Sequence, residues 1–395
     1  MTKDKLDRNS IGLIGTNVIN NVLYMFINTF MVAYLFTVTN YNYKIISLYY
    51  IASFIAIPLT FWLLGDIIKT KNKVIVYRVG IILYCIYILT IAFLREKILT
   101  YCIPLGAFYG IVQGFFWGAG HTLINEVVGE EKTSKKFIAI RAIVDKIART
   151  VFPIIFGASI EVTSFFYIAK IVIPISILQF IFSLFIESKN NNPKENFNII
   201  KYIQYIKKHS MKKIKTVYKL MVLEGIVHYL FETLITIVII MTFKTSLNLG
   251  ILTTIFAIFS IISVYIFRKV YKDKNPKKFI IVSAIVLILS IMLLIFKIDK
   301  TTVIIYNLAN SIFMVLLRNY SDMKRYNSTE NYKEIREKYL VEYQVCSETL
   351  LGISRIIGYT VLFIISFSNN IIYFKGLLLL VTLCIILYAK ELYKD

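Results

Sequence analysis

Charge is scarce in this chain. Only 17% of its 395 residues are Asp, Glu, Lys or Arg, against 57% apolar, whereas a water-soluble domain carries roughly 25% charged residues. That leaves too little polar material to cover a water-facing surface, which excludes a soluble globular domain, a disordered chain and a coiled coil. Cysteine is also rare. Cys85, Cys102, Cys346 and Cys384 all fall within apolar runs without paired spacing, so they read as small core residues and form neither a disulfide framework nor a metal site. The sequence has no Walker A loop, dinucleotide fingerprint, His-Glu-x-x-His, Cys-x-x-Cys or Gly-x-Ser-x-Gly. Its longest polar stretch, Glu187 to Lys215, is too short for a catalytic domain. An enzyme is not expected, nor is a cofactor, and any pumping must draw on an ion gradient, a solute gradient or a partner ATPase.

What the chain does have is long apolar runs, such as Phe279 to Ile298. Continuous runs of about 20 residues fit helices that cross a bilayer and do not fit the alternating ~10-residue segments of a transmembrane barrel. The expected fold is all-α and integral to the membrane, with twelve spans near 11–36, 45–68, 74–95, 99–123, 137–160, 164–187, 217–242, 246–267, 279–298, 302–320, 339–367 and 370–389. The first run starts at Ile11 and is long enough to be a span, so a cleavable leader is not expected.

The net charge of +22 suggests nucleic acid until its placement is considered. Of 45 Lys and Arg, 33 fall in the termini and the even-to-odd loops and seven in the other loops. That asymmetry places both termini and the central linker in the cytoplasm of a multi-pass cell-membrane protein, and no nucleic-acid partner is expected. Residues 197–214 alternate Ile, Tyr and Met with Lys and Gln, a pattern for a surface helix on an anionic leaflet.

The linker divides the chain into residues 1–187, a six-helix bundle, 188–215, the linker, and 216–395, a second six-helix bundle. One offset of 203 residues carries Lys69-Thr70-Lys71-Asn72 onto Lys272-Asp273-Lys274-Asn275, Asp145 onto Glu348, and Asn21 onto Glu224, as a parallel duplication would. With twelve spans, cytoplasmic termini and basic loops at 2–3 and 8–9, the chain resembles the major facilitator superfamily over nearly its whole length. That family's loop 2–3 signature, Gly-x-x-x-Asp-Arg-x-Gly-Arg-Arg/Lys, appears as Trp62-x-x-x-Asp66-Ile67-Ile68-Lys69-Thr70-Lys71; only Asp66 and the basic character are kept. In helix 4, Gln113-Gly114 is present, with Gly110 where proton-coupled members place an arginine. The resemblance implies alternating access between two bundles and a cytoplasmic gate at Asp66.

Ionisable groups within a span cost roughly 2.5–3.5 kcal/mol each on insertion scales, so they face a cavity or a partner. Helix 7 offers Glu224, His228 and Glu232 at i, i+4 and i+8, one face of a regular helix; the resemblance aims that face at the central cavity. Helix 5 offers Asp145 and Arg149 with Arg141, and helix 11 Glu348 and Arg355. Helix 1 offers Asn21, Tyr24 and Asn28 with Asn17. These ten residues, Arg141 and Asn17 aside, form the expected solute and proton path, with Glu232 or Glu348 as proton carrier. The alternative for each is a polar stripe satisfied by neighbouring helices. Gly106, Gly110, Gly114 and Gly118 in helix 4 signal tight packing rather than chemistry.

The expected function is secondary transport of a small solute by a monomer, with protons as a possible coupling ion and export put ahead of uptake. Alternatives are a non-transporting membrane subunit, sensor or assembly partner, and a lipid flippase.

Overall fold

Short polar turns punctuate the apolar runs, and the helices start where a side chain can accept the unpaired amides of the first turn. In a computed structural model, which describes residues 7–128, 131–187, 196–272, 276–330, 332–368 and 370–394, the first six long helices are α1 (Arg8–Val38), α2 (Lys44–Thr70), α3 (Lys73–Leu94), α4 (Cys102–Val128), α5 (Glu131–Val162) and α6 (Phe165–Ser183). A short linker helix α7 (Ile199–Lys208) leads to α8 (Lys212–Phe243), α9 (Ser246–Lys272), α10 (Pro276–Phe296) and α11, which starts at Lys300 and ends at Glu330. A short α12 (Lys333–Lys338) precedes α13 (Leu340–Ile365) and α14 (Ile371–Tyr393). Asp7, Asn72, Ser164, Asn198, Asp299 and Asn370 cap α1, α3, α6, α7, α11 and α14 by accepting a first-turn amide.

No strand occurs among the described residues, and eleven of the helices there are long and apolar enough to cross a membrane. The long helix outside that group is α5. Its 32 residues are ample, but Arg141, Asp145, Lys146 and Arg149 crowd its middle. The sequence-based boundaries hold to within a few residues for most spans. Two differ more. Helix α11 runs on to Glu330 rather than ending at 320, and the amphipathic linker pattern yields a ten-residue helix that stops at Lys208 before α8 begins. The Asn190–Pro193 stretch of the linker and residues 273–275 of the second basic loop lie outside the described residues.

The turn between α1 and α2 bonds the end of α13 through Asn42 and Ser366, while the end of α2 meets the start of α13 through Lys69 and Glu342; the latter end of the bundle, with the start of α1, is called here the terminal end. Within the first half, α4 lies against α2 along its glycine stripe. A Cβ at Gly106 would strike the Tyr49 carbonyl oxygen, one at Gly110 the Ser53 carbonyl oxygen, and one at Gly114 the side chain of Thr60. Two seams join the halves. Along α5 and α9 the backbones touch at Gly157 and Gly250, whose Cα atoms leave no room for side chains. Along α2 and α13, Gly352 packs on Pro58 and Trp62 donates to Thr349 Oγ1 at 3.0 Å. The linker helix turns Tyr202 and Ile206 onto Ile214, Val217 and Ile335 of the second half.

Close backbone approach sets a test. Gly110→Leu is expected to destabilise the protein by at least ~2 kcal/mol through overpacking, read as a lower melting temperature in detergent. Gly376→Ala, where no atom lies within 4 Å, is expected to leave it unchanged.

Candidate functional site

Between the two halves lies a cavity of about 690 Å³, lined from α1, α2, α4, α5, α8, α11 and α13, within the size range of small-molecule sites. Helix α1 supplies Asn21, Tyr24 and Asn28, α5 supplies Asp145 and Arg149, α8 supplies Glu232, and α13 supplies Glu348 and Arg355. Eight of the ten residues singled out from the sequence therefore meet in one space.

The other two, Glu224 and His228, do not line it. A π-helical turn over Gly225–Leu230 interrupts α8 between Glu224 and Glu232. Its i→i+5 bonding inserts about one residue of register, which breaks the regular i, i+4, i+8 face by about 100°. Glu232 turns into the cavity while Glu224 and His228 turn into the second half. There Glu224, 2% exposed, pairs with Arg325 at 2.9 Å. His228 is buried edge-on to Tyr388, with its Nε2 3.4 Å from the Tyr388 hydroxyl. The single-face expectation for α8 is corrected accordingly.

Carboxylates and arginines pair within each half. Arg149 Nε reaches Asp145 Oδ2 at 3.1 Å, and Asn21 Nδ2 donates to the other oxygen of the same carboxylate. On α13, Arg355 reaches Glu348 at 3.3 Å. The Arg355 guanidinium lies 3.7 Å over the Tyr229 ring centroid and 5.1 Å from that of Phe54, a cation–π arrangement that offsets part of its desolvation. Arg141 contributes to the lining and donates to Asn17 Oδ1 at 3.4 Å.

A hydrogen-bonded layer ends the cavity on the side away from the termini. Asn28 donates to the Tyr109 hydroxyl at 2.7 Å and accepts from the Tyr50 hydroxyl at 2.8 Å. The Tyr50 ring stands 4.7 Å from that of Tyr359, whose hydroxyl bonds Thr233 at 2.5 Å. The layer thus crosses from one half to the other. Farther out, Asn42 donates to the Ser366 carbonyl at 3.4 Å and Tyr43 stacks on Phe374.

At the terminal end the halves meet where Lys69 Nζ lies 2.5 Å from Glu342 Oε1, a carboxylate that is fully buried. The amide of Asn198 donates to the same oxygen at 2.9 Å. Asp66, expected at the gate, is exposed; the residue that reaches across is Lys69, three positions on. Thr122 donates to Gln344 at 3.2 Å nearby.

Sequence reasoning missed Arg318 and Arg325, both of which line the cavity. Arg318 lies at the very end of the expected 302–320 span and Arg325 beyond it. Their seven-residue spacing, with Asp322 between, carries the helical period of α11 past residue 320, and that was the available signal.

Two packed bundles of membrane-spanning helices around a charged central cavity define the architecture of a multi-pass membrane transporter. A family model described as Major Facilitator Superfamily matches residues 11–322, and the chain belongs to that superfamily. Over 336 residues it is 24% identical to the uncharacterized protein YqgE of Bacillus subtilis (strain 168), covering 84% of this chain and 76% of that one. Its fold is similar to that of the nucleoside transporter NupG (TM-score 0.70, 13% identical, 97% of this chain and 98% of that one). It is equally similar to a bacterial homologue of the iron transporter ferroportin in an inward-facing state (TM-score 0.69, 14% identical, 98% and 97%).

The Glu224–Arg325 pair yields a stability test, because Glu224 is buried whereas Arg325 lines the cavity and also reaches Asp322 at 4.0 Å, so removing the arginine strands the carboxylate. Arg325→Ala is expected to cost roughly 3 kcal/mol, measured by thermal unfolding in detergent. Glu232→Gln, at a position with no ion-pair partner among the described residues, is expected to leave the unfolding temperature near that of the parent.

Proposed function

We propose that the chain is a secondary transporter that carries a small polar solute across the cytoplasmic membrane by alternating access, with both termini in the cytoplasm and Glu232 as the proton carrier. The carrying observation is the central cavity, in which side chains from both halves face one another. A charged space between two bundles is what rocking about a midplane site requires. The two halves touch through the Tyr50–Tyr359 layer on one side of it and through Lys69–Glu342 on the other, so each end has its own set of contacts to break.

Glu232 is favoured over Glu348 for a physical reason. A carboxylate engaged by an arginine must first break that pair before it can act on anything else. Asp145 and Glu348 each hold one, and Glu232 holds none among the described residues.

Two measurements test this reading. Leu351 lines the cavity; Leu351→Cys, in a background with the four native cysteines changed to serine, is expected to react with a membrane-impermeant maleimide from either face of sealed vesicles. Reaction from one face only, under all conditions, removes alternating access. Glu232→Gln is expected to abolish pH-gradient-driven solute accumulation in liposomes while leaving solute exchange intact, and undiminished accumulation removes Glu232 from the carrier role.

A further inference from the structure

The cavity carries more positive charge than its own carboxylates neutralise. Its lining includes five arginines, at 141, 149, 318, 325 and 355, against three carboxylates, at 145, 232 and 348. Asp145 takes Arg149, Glu348 takes Arg355, and Glu224 from behind the lining takes Arg325. Arg141 and Arg318 have no carboxylate within ion-pair distance among the described residues; Glu232, Asp322 and Glu224 act on Arg318 only from farther away, and Asp322 also pairs with Arg325 at 4.0 Å. Neither can become neutral, because a guanidinium keeps its proton throughout the working pH range.

A second observation points the same way. Arg355 is 3% exposed, its Nε is buried without a hydrogen-bond partner, and Glu348 meets it through one bond only. A buried donor left unmade costs free energy until something accepts from it. The walls around these donors are aromatic, with Tyr24, Phe54, Trp117, Tyr229 and Tyr359 among them.

Resting on the transport reading above, we propose that the solute is a small organic anion with an aromatic body. Its carboxylate accepts from Arg318 and from the free donor edge of Arg355, in the field of Arg141, and its ring packs among the cavity's aromatic side chains. A planar carboxylate matches the guanidinium fork, and the anion gives Arg318 and the unmade Arg355 donor a direct partner. A cation would meet arginines that no ion pair holds, and a neutral solute would offer the Arg355 donor only a weaker acceptor.

The chain has two tryptophans. Trp117 is in the cavity, whereas Trp62 is half exposed at the α2–α13 seam and does not line it. In Trp62→Phe protein, purified in detergent, Trp117 fluorescence is therefore the readout. Phenylacetate is expected to change it saturably, and phenylacetamide and phenethylamine to bind at least tenfold more weakly. Arg318→Gln is expected to weaken phenylacetate at least tenfold with little effect on phenylacetamide, and Arg318→Lys to recover part of the loss. No saturable response to phenylacetate overturns the proposal, as does equal binding of the amide or tighter binding of phenethylamine or phenylalanine. The labelling of Leu351→Cys does not depend on the solute's charge. Two-sided labelling with amine preference defeats the anion assignment alone, and anion preference with one-sided labelling defeats transport alone.

Discussion

The constraint on which the rest depends is the cost of charge in a low-dielectric interior. Arginine in a membrane-spanning helix cannot shed its proton, so it must be given a carboxylate, an aromatic face or water. This protein gives Arg149 and Arg355 a carboxylate on their own helix, gives Arg355 two aromatic faces as well, and brings Glu224 from α8 to Arg325 on α11. Because those groups point inward from helices in both halves, satisfying them defines a common polar space. Elsewhere the helix surfaces are free to be apolar, and Leu63, Phe93 and Leu289 project outward from α2, α3 and α10.

Regular helices alone would not build that space. Asn28 lies within a π-helical turn of α1, Phe26–Met31, and Glu232 immediately follows the one in α8. A third interrupts α11 at Asn310–Met314, ahead of Arg318. In each case the wider turn comes at or just before a cavity residue and resets which side of the helix faces inward. Cavity-facing groups on three helices therefore depend on a backbone irregularity.

These turns also mark the limit of what the amino-acid pattern reveals. Span placement was legible because twenty apolar residues have one low-energy arrangement in a bilayer. The gathering of Asn21, Asp145, Glu348 and Arg355 was legible because intramembrane charge has so few tolerable locations. The split of Glu224 and His228 from Glu232 was not, since a wheel projection assumes 3.6 residues per turn throughout and nothing in Gly-Ile-Val-His-Tyr-Leu announces a wider one. Arg318 was hidden differently: it sits at the very end of the expected span, where a basic residue reads as a terminus reaching for water, and the continuation of α11 to Glu330 makes it part of a helix wall. At Asp66 a matching residue type drew attention away from Lys69, which makes the cross-half contact.

The corner occupied by Glu342 has a mechanical consequence. Phe197 lies against Gly65 of the first half, and the next residue, Asn198, gives its amide to Glu342 of the second. The main chain therefore passes from one bundle to the other at the very place where Lys69 and Glu342 touch. A covalent stitch and an ionic one coincide, so the bundles cannot draw apart at this corner unless the strap first peels from one of them.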